Sequence, residues 1–516
     1  MSVFKWIWVG IALIVFAAPV RCEDDTRRRL EASVRFLADD LLQGRGTPGT
    51  GLDIAALYLS NALRSAGWQP GNGESYLQTY TIREFSPKEM QYEISINGVR
   101  LDPQDYLFWP IGMDPDQTPV RFDLVFAGHG IVSYEKGINN LEGVDVRGKA
   151  VVSMLGAPWK LNPEVPFGPD RAVGKGIEAA VRNARFIIYA TDELTVSTEK
   201  PASAEIALFR EASETGQAFL PEFQGKPTAG LCPFLLISAA AFDKTLAGPS
   251  GRTYAEWQKV LSAGKQNRAR ALEASVEVRI QTMVREGRAN NVVGILRGSD
   301  PALRDEWVVL TAHYDHLGTK EVAAGEDGIW NGADDNASGT ATVLEIARQL
   351  AVGPAPNRSI LALFTSGEER GLLGSAYYSR HPLVPYNRVI ADMNVDMVGR
   401  STGAVQAIVH GCPELFAKAV ELGAQFGIQV LPDQQPSWRI LYLSDHYHFA
   451  RFGVPAVEFF TGLHPDYHQT SDSVDSIRYE EMGRIFRIMF GLTDYYAQGG
   501  KKLEFHRPEW FVTPDE

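Results

Sequence analysis

The sequence predicts an α/β protein: a mixed, mostly parallel central sheet flanked by helices, interrupted by a smaller β-rich α/β insert. Three observations carry this. From residue 288, near-continuous apolar runs at Asn291–Leu296, Trp307–Thr311, Ile360–Thr365, Val389–Val395 and Ala456–Phe460 alternate with helical stretches such as Gly339–Leu350 and Gly374–Arg380. Strands apolar on both faces, alternating with helices, belong to parallel sheets covered on both sides. The 516 residues also exceed one compact core, since domains usually hold ~100–200. Finally, the texture changes between about 118 and 287. Short β-rich runs appear there (Leu124–Ala127, Ala150–Leu155, Phe186–Ala190, Phe234–Ile237), with a proline- and glycine-rich stretch at Pro158–Pro169.

Along the chain, residues 1–22 read as a secretory signal peptide. Lys5 precedes the apolar run Trp6–Val20, which ends abruptly at Glu23-Asp24-Asp25. A membrane anchor is the competing reading, but a spanning helix needs ~20 apolar residues. The protein is therefore expected to be exported, with no stable membrane insertion once the signal is removed. Pro19-Val20-Arg21-Cys22 is a poor lipoprotein signal because small residues should precede the cysteine. Residues 23–117 are read as the first part of the main domain. Asp25-Thr26 can cap a helix in which Leu30, Val34, Leu37 and Leu41 recur at helical spacing, and 91–126 look like strands. Residues 118–287 form the insert. Ser275–Ile280 alternates polar and apolar residues, as expected of a half-exposed strand returning to the main domain. Residues 288–498 complete that domain, and 499–516 are an aromatic tail.

Apolar content is 45%, charged content 22% and the formal net charge −13, which is ordinary for a soluble globular domain. The acidic balance argues against nucleic acid or an anionic membrane as main partner. Beyond Cys22, only Cys232 and Cys412 remain. They suggest neither a disulfide scaffold nor a thiolate metal site, and spacing leaves their pairing open.

In open α/β sheets ligands bind beyond the carboxyl ends of the strands. The chemistry-bearing residues fall there. One apolar run leads into His313-Tyr314-Asp315, another into Ser366-Gly367-Glu368-Glu369, a third into Asp396, and the last into Leu463-His464-Pro465-Asp466-Tyr467-His468. The loop Asn331–Gly339, carrying Asp334-Asp335, opens a helix. Imidazole suits zinc, and Asp315 can fix the His313 tautomer from behind. Two metals ~3.5–4 Å apart need a shared carboxylate, which the Asp335 loop can supply. His313, Asp335, Glu369, Asp396 and His468 thus make a candidate set for two Zn2+. Three carboxylates and two neutral imidazoles leave +1 on two divalent ions, which a bridging hydroxide neutralises. Adjacent side chains in an extended segment point oppositely, so Glu369 can ligate while Glu368 serves as base for the bound water. Oxygen and nitrogen donors favour zinc and admit cobalt or manganese. Singly, each element has a plainer explanation: a surface His-Asp pair, a solvated Glu-Glu, a helix-capping Asp. Together, at successive strand ends, they point to a metal centre.

Five segments resemble the di-zinc metallopeptidase family of bacterial leucyl aminopeptidases, glutamate carboxypeptidase II and the transferrin receptor. They are Ala312–His316, Gly332–Gly339, Gly367–Ser375, Asn394–Gly399 and Tyr467–Asp472. The resemblance is close over about 288–498 and looser over 26–117. It implies that His313 and Asp396 hold one zinc, that Glu369 and His468 hold the other, and that Asp335 bridges them across a cis bond to Asn336. It also implies that Glu368 is the general base, that Tyr467 steadies the oxyanion, and that Ser444-Asp445-His446 sits just behind the ligands. The insert resembles a protease-associated (PA) domain at Leu124–Ile131 and Val144–Val152. The expected substrates are peptides and the expected activity is that of an aminopeptidase. A carboxypeptidase or dipeptidase of the same family and a non-catalytic receptor-like protein are the alternatives. Related deacylases carry Asp-x-Lys-Gly at the bridge, unlike Asp335-Asn336-Ala337-Ser338-Gly339 here. Glutaminyl cyclase binds one zinc and lacks so large an insert. His316, His446, His448 and His464 are expected to be hydrogen-bonded loop histidines rather than ligands.

Overall fold

The computed structural model describes residues 25–511, apart from 87–88, 134–135, 160–169, 195–202, 215, 224–231, 264–267, 437–438 and 509. The expected signal peptide, Cys22, most of the Pro158–Pro169 stretch and the end of the tail lie outside the described residues.

The apolar runs become adjacent parallel strands in the order Ser359–Thr365, Trp307–His313, Val389–Val395, Ala456–Phe460. Each is buried along its whole length. Their side chains alternate between two cores, as the two-residue period of a strand requires. Val308, Leu310 and Ala312 face a core shared with Val343, Leu344 and Ala347 of the helix Gly339–Val352 and Ile485, Met489 and Leu492 of the helix Tyr479–Ala497. Trp307 and Val309 face the opposite core with Tyr378 and Phe449. The sheet is mixed: besides the four central strands, the edge pair Ala404–Val409 and Gln429–Leu431 is parallel. Arg285–Leu296 and Leu77–Phe85 extend one side antiparallel, and Ala404–Val409 pairs antiparallel on the other; with the short strands Gln69–Pro70, Gln217–Phe219 and Gln429–Leu431 the described sheet has ten strands.

A second sheet of eight strands contains the parallel run Val120–Phe126, Ala150–Met154, Phe186–Thr191, Phe234–Ser238. It differs from the sequence expectation in two ways. Residues expected as a strand returning to the main sheet lie within Arg270–Gln281, which instead pairs with Gln91–Ile96 and Val120–Phe126 of this second sheet. The alternation was read correctly, since one face is buried and the other exposed. Period, however, says nothing about which sheet a strand joins. The strands Gln91–Ile96 and Tyr106–Trp109 also belong here, ahead of residue 118, whereas Gln217–Phe219 from inside the 118–287 stretch pairs with Leu77–Phe85 of the main sheet.

The two sheets meet through a helix. Val173, Ile177 and Val181 pack with Leu372, Leu441, Tyr442 and Phe511. Beside them Glu178 and Arg439 form an ion pair of 2.8 Å between nearly buried side chains. Cys232 and Cys412 are both buried free thiols. No described helix is long and apolar enough to cross a membrane.

One buried cation ties the N-terminal segment to the strand ends. Arg45 is fully buried, and its guanidinium donates to the carbonyls of Tyr314 (2.8 Å), Asn331 (2.7 Å), Gly332 (3.0 Å) and Leu37. Arg45→Met would leave several of these carbonyls unsatisfied at ~1–3 kcal/mol each. Urea unfolding is expected to show a loss of about 3 kcal/mol or more.

In the second sheet's unit, His129 is nearly fully buried. Burial, then the Lys175 charge, holds its pKa down to about 4. The folded value lies below the unfolded ~6.5, so its contribution is complete above pH 6.5 and is lost as pH falls toward 4. Thermal melts between pH 7 and 4.5 should show a decline that is shallower in His129→Leu.

Candidate metal centre

Each strand end delivers one donor, and the loops between them are braced to one another. His313 ends its strand, and its carbonyl accepts from Thr340 Oγ1 at 2.6 Å. Its ring Nε2 lies 3.3 Å from Asp396 Oδ1 and 3.4 Å from Asp335 Oδ1. His468 Nε2 lies 3.2 Å from Asp335 Oδ2 and 3.2 Å from Glu369 Oε2. Asp335 therefore offers one oxygen to each histidine. Zinc bonds of ~2.0–2.2 Å place neighbouring tetrahedral donors about 3.4 Å apart. The described side chains fit two such centres in donor type, spacing and burial.

The Asp335 loop is built by backbone chemistry. The Asp335–Asn336 peptide is cis, as the family resemblance implied. Asn336 is fully buried. Its Nδ2 donates to the Val395 carbonyl at 2.8 Å, and its Oδ1 accepts from Gly339 N (2.9 Å) and Met397 N (3.3 Å). One amide thus locks the Asp335 loop to the strand end that carries Asp396. Gly339 is required here: a Cβ would stand 2.2 Å from Asn336 Oδ1 and 2.5 Å from the Val395 carbonyl oxygen. Asp472 Oδ2 accepts from the backbone N–H of Asp334 (2.9 Å) and Asp335 (3.1 Å). Met397 and His468 sit at positive φ, 52° and 56°. Left-handed backbone costs non-glycine residues of order 1 kcal/mol.

Charge crowding dominates the electrostatics. Burial first, with the Glu369 and Asp396 charges adding to it against His313, holds the Glu368 carboxyl well above its ordinary range. Burial raises Asp396 to about 6 despite His313. Burial alone would raise Glu369 too, but His468 and His316 outweigh it and bring it to about 2. For His468, burial is outweighed by Glu369 and Asp335, and the ring rises to about 10. The imidazoles are thus standing in as the cluster's counter-charges. Divalent cations supply that charge more strongly and release the rings as neutral ligands.

All eight residues singled out from the sequence lie in or beside this cluster, with differences of detail. Asp315 stands 3.7 Å from His313 Nδ1, too long for a hydrogen bond. It is fixed by Thr47 Oγ1 (3.1 Å) and accepts from the backbone N–H of Glu368 at 3.2 Å, so it also anchors the Glu368-Glu369 corner. Tyr467 stacks on His468 with 3.8 Å between ring centroids. Ser444 Oγ reaches Asp396 Oδ2 at 3.3 Å and accepts from Asn394 Nδ2 at 3.0 Å.

The four other histidines divide. His316 Nδ1 lies within hydrogen-bonding distance of Glu369 Oε1, at 2.7 Å. His464 Nε2 lies 3.1 Å from Asp334 Oδ2. His446 and His448, expected as hydrogen-bonded loop histidines, are instead buried, and none of their ring nitrogens has a hydrogen bond. They lie at the short helix Tyr447–Ala450, packed beneath the sheet where local sequence gives no sign of burial. Sequence reasoning missed Arg45 and Thr47, which come from far upstream with no motif. The partnership of Asp472 with the Asp335 backbone was also missed, although Asp472 stood inside a segment already singled out.

A mixed sheet with a carboxylate–imidazole cluster gathered at four strand ends defines an α/β protein with a candidate metal centre. Residues 291–493 match the family described as peptidase family M28. A protein of Leptosphaeria maculans named a probable zinc metalloprotease is 29% identical over 204 residues, 33% of this chain and 46% of that protein. The aminopeptidase YwaD of Bacillus subtilis is 27% identical over 201 residues, 38% of this chain and 42% of that protein. The chain thus spans less than half the length of these curated relatives. Among solved structures, an aminopeptidase from Aneurinibacillus sp. strain AM-1 aligns over 95% of this chain and 96% of its own at 17% identity, with a TM-score of 0.47.

Asp472→Ala removes the acceptor for two buried N–H groups behind the shared carboxylate. Loss of such a support typically costs 10–100-fold in metal affinity, and zinc titration by calorimetry is expected to read a loss of that size.

Proposed function

We propose that the chain is an exported, zinc-dependent exopeptidase that removes N-terminal residues from peptides. The observation that carries this is the sharing of Asp335: its two oxygens lie 3.4 Å from His313 Nε2 and 3.2 Å from His468 Nε2, with Asp396 and Glu369 completing the two sets and Glu368 beside them. The family match and the aminopeptidase among the relatives support peptide hydrolysis.

Two zinc ions held by His313 with Asp396 and by Glu369 with His468, sharing Asp335, would polarise the scissile carbonyl and lower the pKa of a bound water toward ~7. The protein's own residues do the rest. Glu368 takes the proton from that water and returns it to the leaving amine. Its carboxyl is pushed upward by burial, which favours proton return, and nearby cations counter that push so that it can accept. Asp315 holds the Glu368 backbone in register. Tyr467, stacked on His468, presents its hydroxyl to the developing oxyanion, a contact whose loss typically costs ~10²–10³ in turnover. The unit built on the second sheet is read as a protease-associated domain that shapes substrate access, docked through Glu178–Arg439.

Glu368→Gln is expected to abolish hydrolysis of aminoacyl-nitroanilides while zinc content stays near two per chain. Retained activity would remove Glu368 from the mechanism. A paired panel of free and N-acetylated peptides tests the direction of cleavage. Turnover of free peptides alone supports an aminopeptidase, and equal turnover of both overturns that reading in favour of a carboxypeptidase.

A further inference from the structure

We infer that His316 is a sixth protein ligand, coordinating through Nδ1 the same metal that Glu369 and His468 hold. This rests on the two-metal reading above and adds to it a residue outside the five-residue set.

The geometry comes first. His316 Nδ1 lies 2.7 Å from Glu369 Oε1 and 3.8 Å from Asp335 Oδ2. His468 Nε2 closes the set at 3.2 Å from each of those two residues. His316, Asp335 and Glu369 together form a metal-sized donor group, as do His313, Asp335 and Asp396. The His316 and His468 rings meet edge to face with centroids 5.8 Å apart. Donors around one zinc are expected about 3.4 Å apart in a tetrahedron, and the separations of 2.7, 3.2 and 3.8 Å lie on either side of that value, with His316 on one Glu369 oxygen and His468 on the other.

The ring is also built into place. His316 is 1% exposed. Its backbone N–H donates to the Arg45 carbonyl at 3.3 Å, so the buried arginine fixes its chain. Its imidazole lies flat against Gly332, where a Cβ would come within 2.5 Å of the ring carbons Cγ and Cδ2. Gly332 has a φ of 56°, which glycine adopts without strain. The absent side chain leaves room for the ring, whose Nδ1 faces Glu369. Asp315 stands beside His313 in an equivalent way, but it offers a carboxylate at 3.7 Å and no imidazole.

The two metal positions then become unequal. The Glu369 side has four protein donors, Asp335, Glu369, His468 and His316. The His313 side has three, Asp335, His313 and Asp396. A site closed by four ligands holds its ion, and one with three leaves a position for water or substrate. The chemistry is thereby directed to the His313–Asp396 side, beside the Glu368 base. The alternative is that His316 only donates its Nδ1–H to Glu369 and orients it. That role would also affect metal affinity, so affinity cannot decide between the two.

Counting metal-bound imidazoles can. The full chain is loaded with two equivalents of cobalt(II), and the paramagnetically shifted, exchangeable imidazole N–H resonances are counted by proton NMR. Three are expected in the natural protein, one each from His313, His468 and His316. His316→Ser, with cobalt content still measured, is expected to lose one of the three and to bind its second equivalent at least tenfold more weakly. Two resonances in the natural protein would overturn the inference and leave the two-metal reading intact, whether or not the variant folds. Uptake of fewer than two equivalents by the natural protein would overturn the two-metal reading and this inference with it.

Discussion

Negative charge crowded into a buried space is the constraint on which the rest of this structure depends. Asp335, Glu368, Glu369 and Asp396 converge where four parallel strands end, and Asp315, Asp445 and Asp472 stand directly behind them. Like charges at such range in a low-dielectric interior repel strongly, and proteins answer by protonation, by pairing or by cations. The imidazoles of His313 and His468 answer in part, since their protons are held far more firmly than usual. Three histidines among the carboxylates, two of them buried, are also what a metal centre needs: neutral donors that accept a cation in the proton's place.

Holding such a cluster together requires support that does not come from the donors. Asn336 ties the Asp335 loop to the strand end bearing Asp396, and Asp472 grips the Asp335 backbone from the other side. Arg45 closes the third side by binding carbonyls rather than carboxylates. That choice is physically sensible. A guanidinium paired directly with Asp335 or Glu369 would compete with a metal for the same oxygens, whereas one bound to carbonyls braces the loops and lends positive potential from behind. Burial still lowers its own pKa to about 10, so it remains charged at neutral pH.

The second sheet bears on the same cluster. Its helix residues Val173 and Ile177 pack on Leu372, which follows the Glu368-Glu369 corner, and on Leu441, which precedes Ser444. Ser444 in turn touches Asp396. Glu178 and Arg439 are almost dry, and breaking one partner of a buried pair costs more than the pair itself contributes. The two units are therefore docked close to the residues that set the geometry of the donors.

How much of this was legible in the sequence follows from range. The strand cores were legible because burial on both faces writes a continuous apolar run, and the donors because each sits directly after such a run: His313, Glu369 and Asp396 needed only the rule that ligands gather at strand carboxyl ends. The cis bond at Asp335–Asn336 came with the family likeness, not from any pattern. What sequence could not give was partnership. Periodicity identified Arg270–Gln281 as half-exposed without saying that it pairs with Gln91–Ile96, because strand pairing is a long-range backbone choice. Likewise the string His313-Tyr314-Asp315-His316 states four residue types, but only the folded chain seats the His316 ring on Gly332 and turns its Nδ1 to Glu369. By itself, then, the sequence determined the α/β class and the candidate donor residues, which are properties of local pattern. Tertiary structure decided the strand neighbours, the buried arginine and which carboxylate oxygens face which imidazole, because those depend on atoms brought together from hundreds of residues apart.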